Sequence, residues 1–320
     1  MKALLTGGAG FIGSHLTRRL IELGWDVRVV DNLSTGFRRN LSDVLADIEF
    51  REEDLRDSQV CERAVEGVEV VFHLAAMSSV PRSMVDPLGT HDSNVNATFY
   101  LLDAARRHGV RRFVYSASSS AYGETPVLPK AEDAEPLPKS PYAAAKLAGE
   151  LYTLAYARAE LVEGVALRYF NVFGPRQDPN GPYAAVIPLV MRAAQAGTTM
   201  PIYGDGQQTR DFTYIDNVVS ANVLAATGPA DRVSGWCVNV GAGEQTSLLE
   251  LVRLVEDVSG RPIRVEHRPE RAGDIRDSLA SLDRARSVLG YEPVVPLHEG
   301  IRRLWQWTIT QEPALAVSGN

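Results

Sequence analysis

Short apolar runs alternate with helical patterns along the first 120 residues of this 320-residue chain. Between the first two runs, Ile12, Leu16 and Leu20 recur at every fourth residue, as on one face of an amphipathic helix. Gly24 stands where that helix is expected to end. Strands that alternate with helices form βαβ units and a parallel sheet with helices on both faces. The predicted strands are residues 2–6, 26–31, 48–52, 68–75 and 111–117.

The pattern becomes irregular after about residue 172. A helix at 142–159 and a strand at 165–169 precede residues 174–182, which are dense in turn-forming glycine, proline and asparagine. Helical patterns at 184–196 and 247–259 follow, with short strands such as 263–267, and the chain is expected to return to the large sheet near 238–240. We therefore predict an α/β fold with a doubly wound parallel sheet and a smaller C-terminal mixed α/β lobe.

The predicted boundaries divide the chain into two functional parts and a tail. Residues 1–172 form the larger domain, with a return segment near 210–241. Residues 173–209 and 242–310 form the smaller lobe, which we expect to bind the substrate. Residues 311–320 lack periodicity and are expected to be a frayed tail.

Charge and cysteine content limit the partners that the chain can have. Lys plus Arg number 33 and Asp plus Glu number 40, for a net charge of −7, whereas a nucleic-acid-binding protein needs a basic face. No apolar run approaches the roughly 18 residues of a membrane span, and the N-terminal run is too short for a secretory signal. Cys61 and Cys237 are far apart, which excludes a disulfide framework or a thiolate metal site. We expect a cytoplasmic protein without a nucleic-acid, membrane or metal partner.

A glycine-rich segment joins the first predicted strand to the first predicted helix. Gly8, Gly10 and Gly13 satisfy the Gly-x-Gly-x-x-Gly spacing, and Gly7 extends it to the related Gly-x-x-Gly-x-x-Gly. Such glycines permit a tight turn, the close approach of a pyrophosphate and close packing of helix on strand. Asp31 ends the second strand, where a carboxylate accepts hydrogen bonds from the adenosine ribose and repels a 2′-phosphate. This context predicts a Rossmann domain that binds NAD rather than NADP.

Tyr142 and Lys146 lie four residues apart on one predicted helix and therefore share a face. Lowering a phenol pKa from about 10 by about three units takes roughly 4 kcal/mol. A cation at about 5 Å supplies roughly 3 kcal/mol at an effective dielectric of about 20, and an oxidised nicotinamide ring would supply the rest. The pair thus predicts a general base. The alternative is a core tyrosine and a solvated lysine, because the bare spacing is common by chance.

A run of serines follows the predicted strand 111–117. Ser118, Ser119 and Ser120 lie at the carboxyl end of that strand, where α/β sheets bind ligands. A hydroxyl there can relay a proton between Tyr142 and a substrate hydroxyl. The alternative is an ordinary serine-rich turn.

Further motifs run nearly end to end, from Thr6-Gly7-Gly8 to Leu289-Gly290-Tyr291. They include Asp31-Asn32, Asp54-Leu55, Phe72-His73-Leu74-Ala75-Ala76, Asn94, Ser118 to Gly123, Tyr142, Lys146, Arg168-Tyr169-Phe170-Asn171, Gly204-Asp205-Gly206, Thr209-Arg210-Asp211 and Arg271-Ala272-Gly273-Asp274. With these motifs the chain resembles the extended short-chain dehydrogenase/reductase superfamily. Within it, the chain resembles the nucleotide-sugar 4-epimerases of the UDP-galactose/UDP-N-acetylglucosamine type.

The resemblance implies a role for each matching residue. Tyr142 looks like the general base, Lys146 its electrostatic partner and Ser118 the proton-relaying hydroxyl. The implied NAD contacts are Gly7, Gly10, Phe11, Ile12, Gly13, Asp31, Asn32, Asp54, Leu55, Leu74, Ala75, Ala76, Tyr142, Lys146 and Tyr169. The implied contacts to the UDP-sugar are Ser118, Ser119, Ser120, Tyr142, Asn171, Arg210, Arg271, Asp274 and Ser278. Bidentate guanidinium–phosphate pairing explains why arginines stand among these contacts.

The implied reaction is oxidation at the sugar C4 and return of the hydride to the other face. Related dehydratases and decarboxylases need an extra carboxylate two or three residues before the tyrosine that is Tyr122 here, and Ser119 and Ser120 occupy those positions. A UDP-uronic acid 4-epimerase is an alternative, in which Arg82 or Arg176 would meet the carboxylate. An alternative from another class is a non-catalytic NAD-binding redox sensor.

Two further expectations concern substrate width and assembly. The resemblance places Ser278 where a tyrosine would leave room only for a C2 hydroxyl, so the smaller serine is expected to admit an N-acetyl group. The expected substrates are therefore UDP-glucose, UDP-galactose and their N-acetylated counterparts. The helical patterns at 94–107 and 142–159 carry apolar residues on more than one face, among them Phe99, Leu102, Leu151 and Leu154, which predicts a homodimer.

Overall fold

The apolar runs of the sequence form β-strands in the computed structural model, which describes residues 1–178, 185–270 and 275–311. Side chains of the long central strands are buried on both faces, as expected of strands covered by helices on each side. The strands are β1 (Lys2–Thr6), β2 (Asp26–Val30), β3 (Ile48–Arg51), β4 (Val70–His73), β5 (Arg112–Ser118), β6 (Glu163–Tyr169), β7 (Val172–Phe173), β8 (Met200–Tyr203), β9 (Thr209–Arg210), β10 (Thr213–Tyr214), β11 (Cys237–Val240), β12 (Thr246–Ser247) and β13 (Val265–Arg268).

Several helices begin at a residue whose side chain caps the first turn. Ser140 caps the helix that carries Tyr142 and Lys146 by accepting from Ala143 N, and a proline occupies the first turn of that helix. Ser247 and Glu250 form a capping box at the start of a later helix. The helices are α1 (Phe11–Glu22), α2 (Ser58–Val65), α3 (Val80–Val85), α4 (Pro87–His91), α5 (Ala97–Arg107), α6 (Pro141–Arg158), α7 (Val186–Ala196), α8 (Ile215–Thr227), α9 (Ala230–Val233), α10 (Leu248–Ser259) and α11 (Leu297–Thr310).

Seven parallel strands form the central sheet, in the order β11-β6-β5-β4-β1-β2-β3. The strand order reverses between β1 and β4, and in open α/β sheets ligands bind at the carboxyl ends beside such a switch point. The predicted doubly wound Rossmann sheet is confirmed. The chain returns to this sheet at β11, which pairs with β6 in parallel.

Shorter strand pairs lie outside the central sheet. β7 pairs with β10 and β8 with β13 in parallel, whereas β9 and β12 are antiparallel. Helices α7, α10 and α11 pack together beside them. These elements are the mixed α/β structure expected of the C-terminal part.

Helix α6 is held against the sheet by close contact and by buried charge. A Cβ on Gly149 would lie 2.3 Å from the Tyr115 hydroxyl, so only glycine fits where α6 meets β5. The Tyr115 hydroxyl donates to the Lys146 carbonyl at 3.2 Å. Glu150 and Arg168 form a bidentate pair of 2.6 and 2.8 Å with both side chains almost fully buried. These contacts fix the register of α6 relative to β5 and β6.

Several predicted boundaries differ from those observed. The fourth strand ends at His73 instead of residue 75, because the chain leaves the sheet there to line a cavity. Helices α3 and α4 were not predicted, since each is short and carries no clear amphipathic period. The predicted frayed tail lies outside the described residues beyond Gln311. No helix in the described part of the chain is long and apolar enough to cross a membrane.

Candidate active site

The turn between β1 and α1 brings two backbone segments into contact. Gly7 has a φ of +69°, and a Cβ on it would lie 2.7 Å from the Ala75 nitrogen. A Cβ on Gly13 would lie 2.2 Å from the Gly7 carbonyl oxygen. Gly10 is the N-cap of α1 and makes no side-chain capping bond. The first N–H groups of α1 therefore point toward the space beyond the turn, as in an anion-binding helix terminus.

A cavity of about 1050 Å³ opens at this turn and extends past the carboxyl ends of β2, β4, β5 and β6. We call it the large cavity. Its volume and its glycine cradle fit a dinucleotide. Every residue that the sequence analysis assigned to NAD lines this cavity: Gly7, Gly10, Phe11, Ile12, Gly13, Asp31, Asn32, Asp54, Leu55, Leu74, Ala75, Ala76, Tyr142, Lys146 and Tyr169.

Asp31 also has a structural role that the sequence analysis missed. Its carboxylate accepts from Ala9 N at 2.9 Å and from Leu33 N at 2.8 Å. Burial raises the pKa of Asp31, and the two backbone bonds partly oppose that rise. Each carboxylate oxygen keeps a further lone pair for a ligand hydroxyl. Asp31 therefore ties the glycine turn to β2 from within the cavity wall.

Asp54 is held as a carboxylate at the neighbouring wall. A hydrogen bond from Arg56 is the main cause that lowers the pKa of Asp54 to about 2. The Asn32 amide also donates to Asp54, at 3.0 Å. The three side chains thus form a polar rim on the side of the cavity formed after β2 and β3.

A buried hydrogen-bond chain through His73 positions the segment Leu74 to Met77. Thr6 Oγ1 is 2.7 Å from His73 Nδ1, and it accepts from Ala75 N at 3.2 Å. Thr98 Oγ1 lies 2.8 Å from His73 Nε2 and donates to the Asn94 carbonyl at 2.8 Å. Because the single Thr98 hydrogen is used, Nε2 is the donor and Nδ1 accepts from Thr6. This set of hydrogen bonds therefore requires a neutral His73 imidazole with its proton on Nε2.

Asn94 fixes the far end of the same segment. Its Oδ1 accepts from Met77 N at 2.7 Å, and its Nδ2 donates to the Met77 carbonyl at 3.2 Å. Burial, together with the smaller effect of the nearby Lys146, lowers the pKa of His73 to about 3. The motif containing His73 was recognised from the sequence, but its partners are distant in the chain and no local pattern indicates them.

Ser118 and Tyr142 meet where β5 ends and α6 begins. Ser118 is the last residue of β5 and accepts from the Ser120 hydroxyl at 2.8 Å. Burial raises the pKa of Tyr142, and a hydrogen bond with Ser118 opposes that rise. The protein alone therefore keeps Tyr142 as a neutral phenol, contrary to the lowered pKa that a fully charged Lys146 was expected to impose.

Lys146 is buried, so the alternative of a solvated surface lysine is wrong. Its side chain is 3% exposed, and its Nζ lies 4.5 Å from the centre of the Tyr115 ring. Burial lowers the pKa of Lys146 to about 7, although Glu150 on the same helix opposes the change. At neutral pH this lysine is only partly protonated, and a negative group placed beside it would restore its charge.

A second cavity of about 290 Å³, which we call the chamber, adjoins the large cavity. Ser118, Tyr142, Tyr169 and Asn171 line both cavities. The other predicted UDP-sugar contacts at the chamber are Ser119, Ser120, Arg210 and Ser278. Arg271 and Asp274 lie outside the described residues. The structure thus brings most of the predicted substrate residues together with Tyr142 in one cavity.

The chamber also contains residues that the sequence analysis did not single out. Lys130 lines it and is 4% exposed, with its ammonium bonded to the Thr125 hydroxyl at 2.6 Å. Arg82 and Arg176, the cations considered for a uronic acid, line the large cavity instead. Within the described ranges, neither is among the residues of the chamber wall.

A Rossmann sheet with a glycine cradle and a serine–tyrosine–lysine group at its carboxyl edge defines a class of nucleotide-dependent enzymes. The chain belongs to the NAD dependent epimerase/dehydratase family, whose sequence model matches residues 3–241. The family match confirms the superfamily resemblance and the expectation of NAD as cofactor.

Individual relatives match along almost the whole chain. The UDP-glucose 4-epimerase of Mycolicibacterium smegmatis is 43% identical over 307 residues, which cover 95% of this chain and 97% of that protein. The structure of UDP-N-acetylglucosamine 4-epimerase from Methanobrevibacter ruminantium in complex with UDP-N-acetylmuramic acid matches with a TM-score of 0.91 and 38% identity, covering 97% and 98% of the two chains. The Thermus thermophilus UDP-glucose 4-epimerase in complex with NAD matches with a TM-score of 0.87 and 36% identity, covering 96% and 98%.

The neutral state of His73 makes a testable contribution to stability. Its folded-state pKa of about 3 lies below the unfolded value of about 6.5, so its stabilising effect is lost as pH falls from 6.5 toward 3. Between about pH 7.5 and about pH 5, the parent should lose about 2 kcal/mol more unfolding free energy than His73→Asn. Urea denaturation at the two pH values measures the difference.

The exposed His298 provides the matched control for that comparison. His298→Asn should follow the pH dependence of the parent. The buried His15, whose pKa is lowered to about 4, remains in all three proteins and cancels in the comparison. An equal pH dependence of the parent and His73→Asn would show that His73 is not held neutral.

Proposed function

We propose that this protein is an NAD-dependent 4-epimerase that interconverts UDP-glucose and UDP-galactose, and UDP-N-acetylglucosamine and UDP-N-acetylgalactosamine. The observation that carries the proposal is the junction of the two cavities at Ser118, Tyr142, Tyr169 and Asn171. A cofactor in the large cavity and a sugar in the chamber would meet at a tyrosine and a serine. The relatives named above, with their UDP-sugar and NAD complexes, support the same assignment.

The NAD-binding residues proposed here are the fifteen residues named above as lining the large cavity. Bound NAD supplies a hydride acceptor for C4 of the sugar and, in its oxidised form, a positive charge. Asp31 is proposed to accept hydrogen bonds from the adenosine ribose. Lys146, whose ammonium is donor-only, is proposed to hold the nicotinamide ribose.

Proton transfer is proposed to run through the hydroxyls of Ser118 and Tyr142. The positive charges of Lys146 and of oxidised nicotinamide would favour the phenolate form of Tyr142. The phenolate accepts the 4-hydroxyl proton, directly or through Ser118, as the C4–H bond breaks as hydride, and a 4-keto sugar remains. Tyr142 returns the proton when C4 is reduced on its other face. The raised pKa of Tyr142 favours this second, proton-donating step, and the charge on Lys146 favours the first.

The nucleotide end of the substrate is proposed to stay bound while the keto sugar turns. Arg210 and Asn171 line the chamber and are proposed to contact the diphosphate, together with Arg271 and with Asp274 near the nucleoside ribose. A guanidinium pairs bidentately with phosphate oxygens, which restricts the nucleotide more than a lysine would. We propose that residues 1–172 and the return segment 210–241 hold NAD, and that 173–209 and 242–310 hold the UDP-sugar.

Specific observations disfavour the other reactions considered. Ser119 and Ser120 supply hydroxyls, and no carboxylate, at the positions that elimination or decarboxylation would need. Arg82 and Arg176 face the large cavity, which weakens the proposal of a uronic acid substrate. Two buried free cysteines fit a reducing compartment, so a cytoplasmic location is part of the proposal.

Replacing Tyr142 tests the chemistry directly. Tyr142→Phe removes only the titrating hydroxyl, so epimerisation of UDP-glucose should fall by about a hundredfold or more while NAD stays bound. Chromatography of the products and absorbance of the released cofactor measure the two quantities. Turnover within tenfold of the parent would exclude Tyr142 as the base, and bound NAD without turnover in the parent itself would favour the redox sensor.

Ser278 is proposed to set the width of the chamber at the sugar C2. Ser278 belongs to the chamber wall, as do the serines that follow β5 in the chain. A serine side chain is much smaller than a tyrosine ring and leaves room for an acetamido group, to which its hydroxyl can donate.

Ser278→Tyr should suppress turnover of the N-acetylated pair while sparing UDP-glucose and UDP-galactose. The reason is steric, because the ring would fill the space proposed for the acetamido group. Separate kcat and KM values for both pairs measure the effect, with Ser278→Ala as the control that keeps the space. Equal loss of both activities, or loss of neither, would reject the steric assignment.

We propose that the protein is a homodimer built on α5 and α6. Phe99 and Tyr152 are partly exposed, with ring centres 5.3 Å apart, and Leu151 is 55% exposed beside them. Met84, Val85 and Leu88 add exposed apolar surface from α3 and α4, which pack against α6. Leu102 and Leu154, which were expected to form part of this surface, are instead buried in the core of the chain. A second copy would cover the exposed patch.

The parent should sediment at twice its mass of 34.9 kDa at micromolar concentration. The double variant Phe99→Arg/Leu151→Arg should sediment as a monomer, because the two charges would be buried unpaired at the interface. Val294→Arg, at an exposed apolar position outside these helices, is the control and should remain dimeric. A monomeric parent would reject the proposal.

A further inference from the structure

The segment that carries Ser278 is hydrogen-bonded to three consecutive residues, Thr209, Arg210 and Asp211. We call residues 276–280 the wall segment. Thr209 N donates to the Arg276 carbonyl at 3.0 Å, and Arg210 Nη1 donates to the same oxygen at 3.0 Å. Ser278 N donates in turn to the Thr209 carbonyl at 3.2 Å. The proposed phosphate-binding arginine is therefore bonded to the backbone of the proposed sugar wall.

Side-chain hydrogen bonds also hold the first half of the wall segment. The Thr209 hydroxyl donates to Asp277 Oδ1 at 2.6 Å, and Thr209 N donates to the same oxygen at 3.2 Å. Asp277 itself lines the chamber beside Ser278. Two bonds from one residue thus fix the position of a chamber-lining side chain.

Asp211 holds the second half of the wall segment. Its carboxylate is fully buried and accepts three backbone bonds, from Ala242 N at 2.7 Å, Gly243 N at 3.1 Å and Ala280 N at 3.1 Å. A Cβ on Gly241 would lie 2.7 Å from Asp211 Oδ2 and 2.7 Å from the Ala280 Cβ. The wall segment is therefore pulled close against the turn that follows β11.

The main chain of Asp211 bonds to a second residue that lines the chamber. Its carbonyl accepts from Asn171 Nδ2 at 3.0 Å, and Asn171 lines both cavities. Asn171 has a φ of +29°, a backbone conformation that residues other than glycine rarely adopt unless neighbouring contacts stabilise it. Asp211 thus bonds to Asn171 through its main-chain carbonyl and to the wall segment through its carboxylate.

Burial of the charged Asp211 carboxylate destabilises the folded state. Burial raises the pKa of Asp211 to about 6, and the three backbone donors only partly oppose that rise, while Glu244 adds to it. The carboxylate of Asp211 can accept from all three backbone N–H groups, whereas an amide at this position could not. We therefore explain the buried charge by the positions in which it holds these three backbone groups.

We infer that Asp211 is a positioning residue that sets the spacing between Asn171 and the Ser278 wall, and thereby the selectivity of the chamber for the C2 substituent of the sugar. The inference rests on the proposed function, because it assigns the chamber to the hexose. Asp211 acts through Ser278 and Asn171 and does not touch the substrate itself.

Asp211→Asn tests the inference with almost no change in volume. Its amide must turn a donor toward one of the three backbone N–H groups, so at least one bond is lost. The KM for UDP-N-acetylglucosamine should rise by about tenfold, the equivalent of one hydrogen bond, while the KM for UDP-glucose changes by less than about threefold. The kcat for UDP-glucose and the bound NAD should stay near parental values, because Tyr142, Lys146 and Ser118 are untouched.

Thr209→Val is the second variant, chosen for the case in which Asp211→Asn does not fold. It keeps the shape of the side chain but removes the hydroxyl bond to Asp277, while the bond from Thr209 N remains. It should shift the same KM ratio in the same direction. Asp216→Asn is the matched control, because Asp216 forms a surface pair with Arg303 and is 44% exposed. It should leave both KM values unchanged.

Calorimetric titration of both UDP-sugars into the parent and the variants separates this inference from the proposed function. A parent that binds both sugars but epimerises neither would reject the proposed function, and the binding ratio would still test the role of Asp211. An unchanged ratio of the two KM or Kd values in folded Asp211→Asn and Thr209→Val would overturn the inference. A parallel loss for both sugars would overturn it as well, since that result indicates a general structural role.

Discussion

The site depends on one place where two backbone segments touch without side chains between them. At the turn after β1, Gly7 lies against the Ala75 segment and Gly13 lies against the Gly7 carbonyl. Dispersion and backbone hydrogen bonding at that contact set where α1 begins and where the chain leaves β4. Asp31 then ties the same turn to β2 through Ala9. Three neighbouring strands are thereby brought into a common wall, and any side chain at Gly7 or Gly13 would separate them.

Buried charge is the second organising feature, and it is distributed unevenly. Glu150 and Arg168 neutralise each other within the fold, and they hold α6 where Tyr142 reaches Ser118. Burial lowers the pKa of Lys146 to about 7, although Glu150 favours its charge. The Glu150–Arg168 pair is thus neutralised within the fold, whereas the charge of Lys146 responds to what is bound beside it.

The parts of the molecule that were predictable from sequence are those encoded locally. The glycine turn, the strand before it and the Tyr142–Lys146 spacing each occupy a few consecutive residues, so periodicity and spacing reveal them. The partners of His73 and Asp211 could not be found in this way, because Thr6, Thr98 and Ala280 meet them only after the sheet has formed. Helices α3 and α4 were missed because they are too short to show a period, and they are stabilised by packing against α6.

Strand β11 occupies an outer position in the sheet although it is formed by residues 237–240 of a 320-residue chain. During synthesis, the first six strands of the central sheet emerge from the ribosome well before β11 does. Until then the buried strand β6 presents an open row of backbone N–H and C=O groups, which is the template on which chains pair wrongly. The nascent chain is therefore exposed to aggregation over that interval. A product truncated before Cys237 would keep the edge of β6 unpaired permanently.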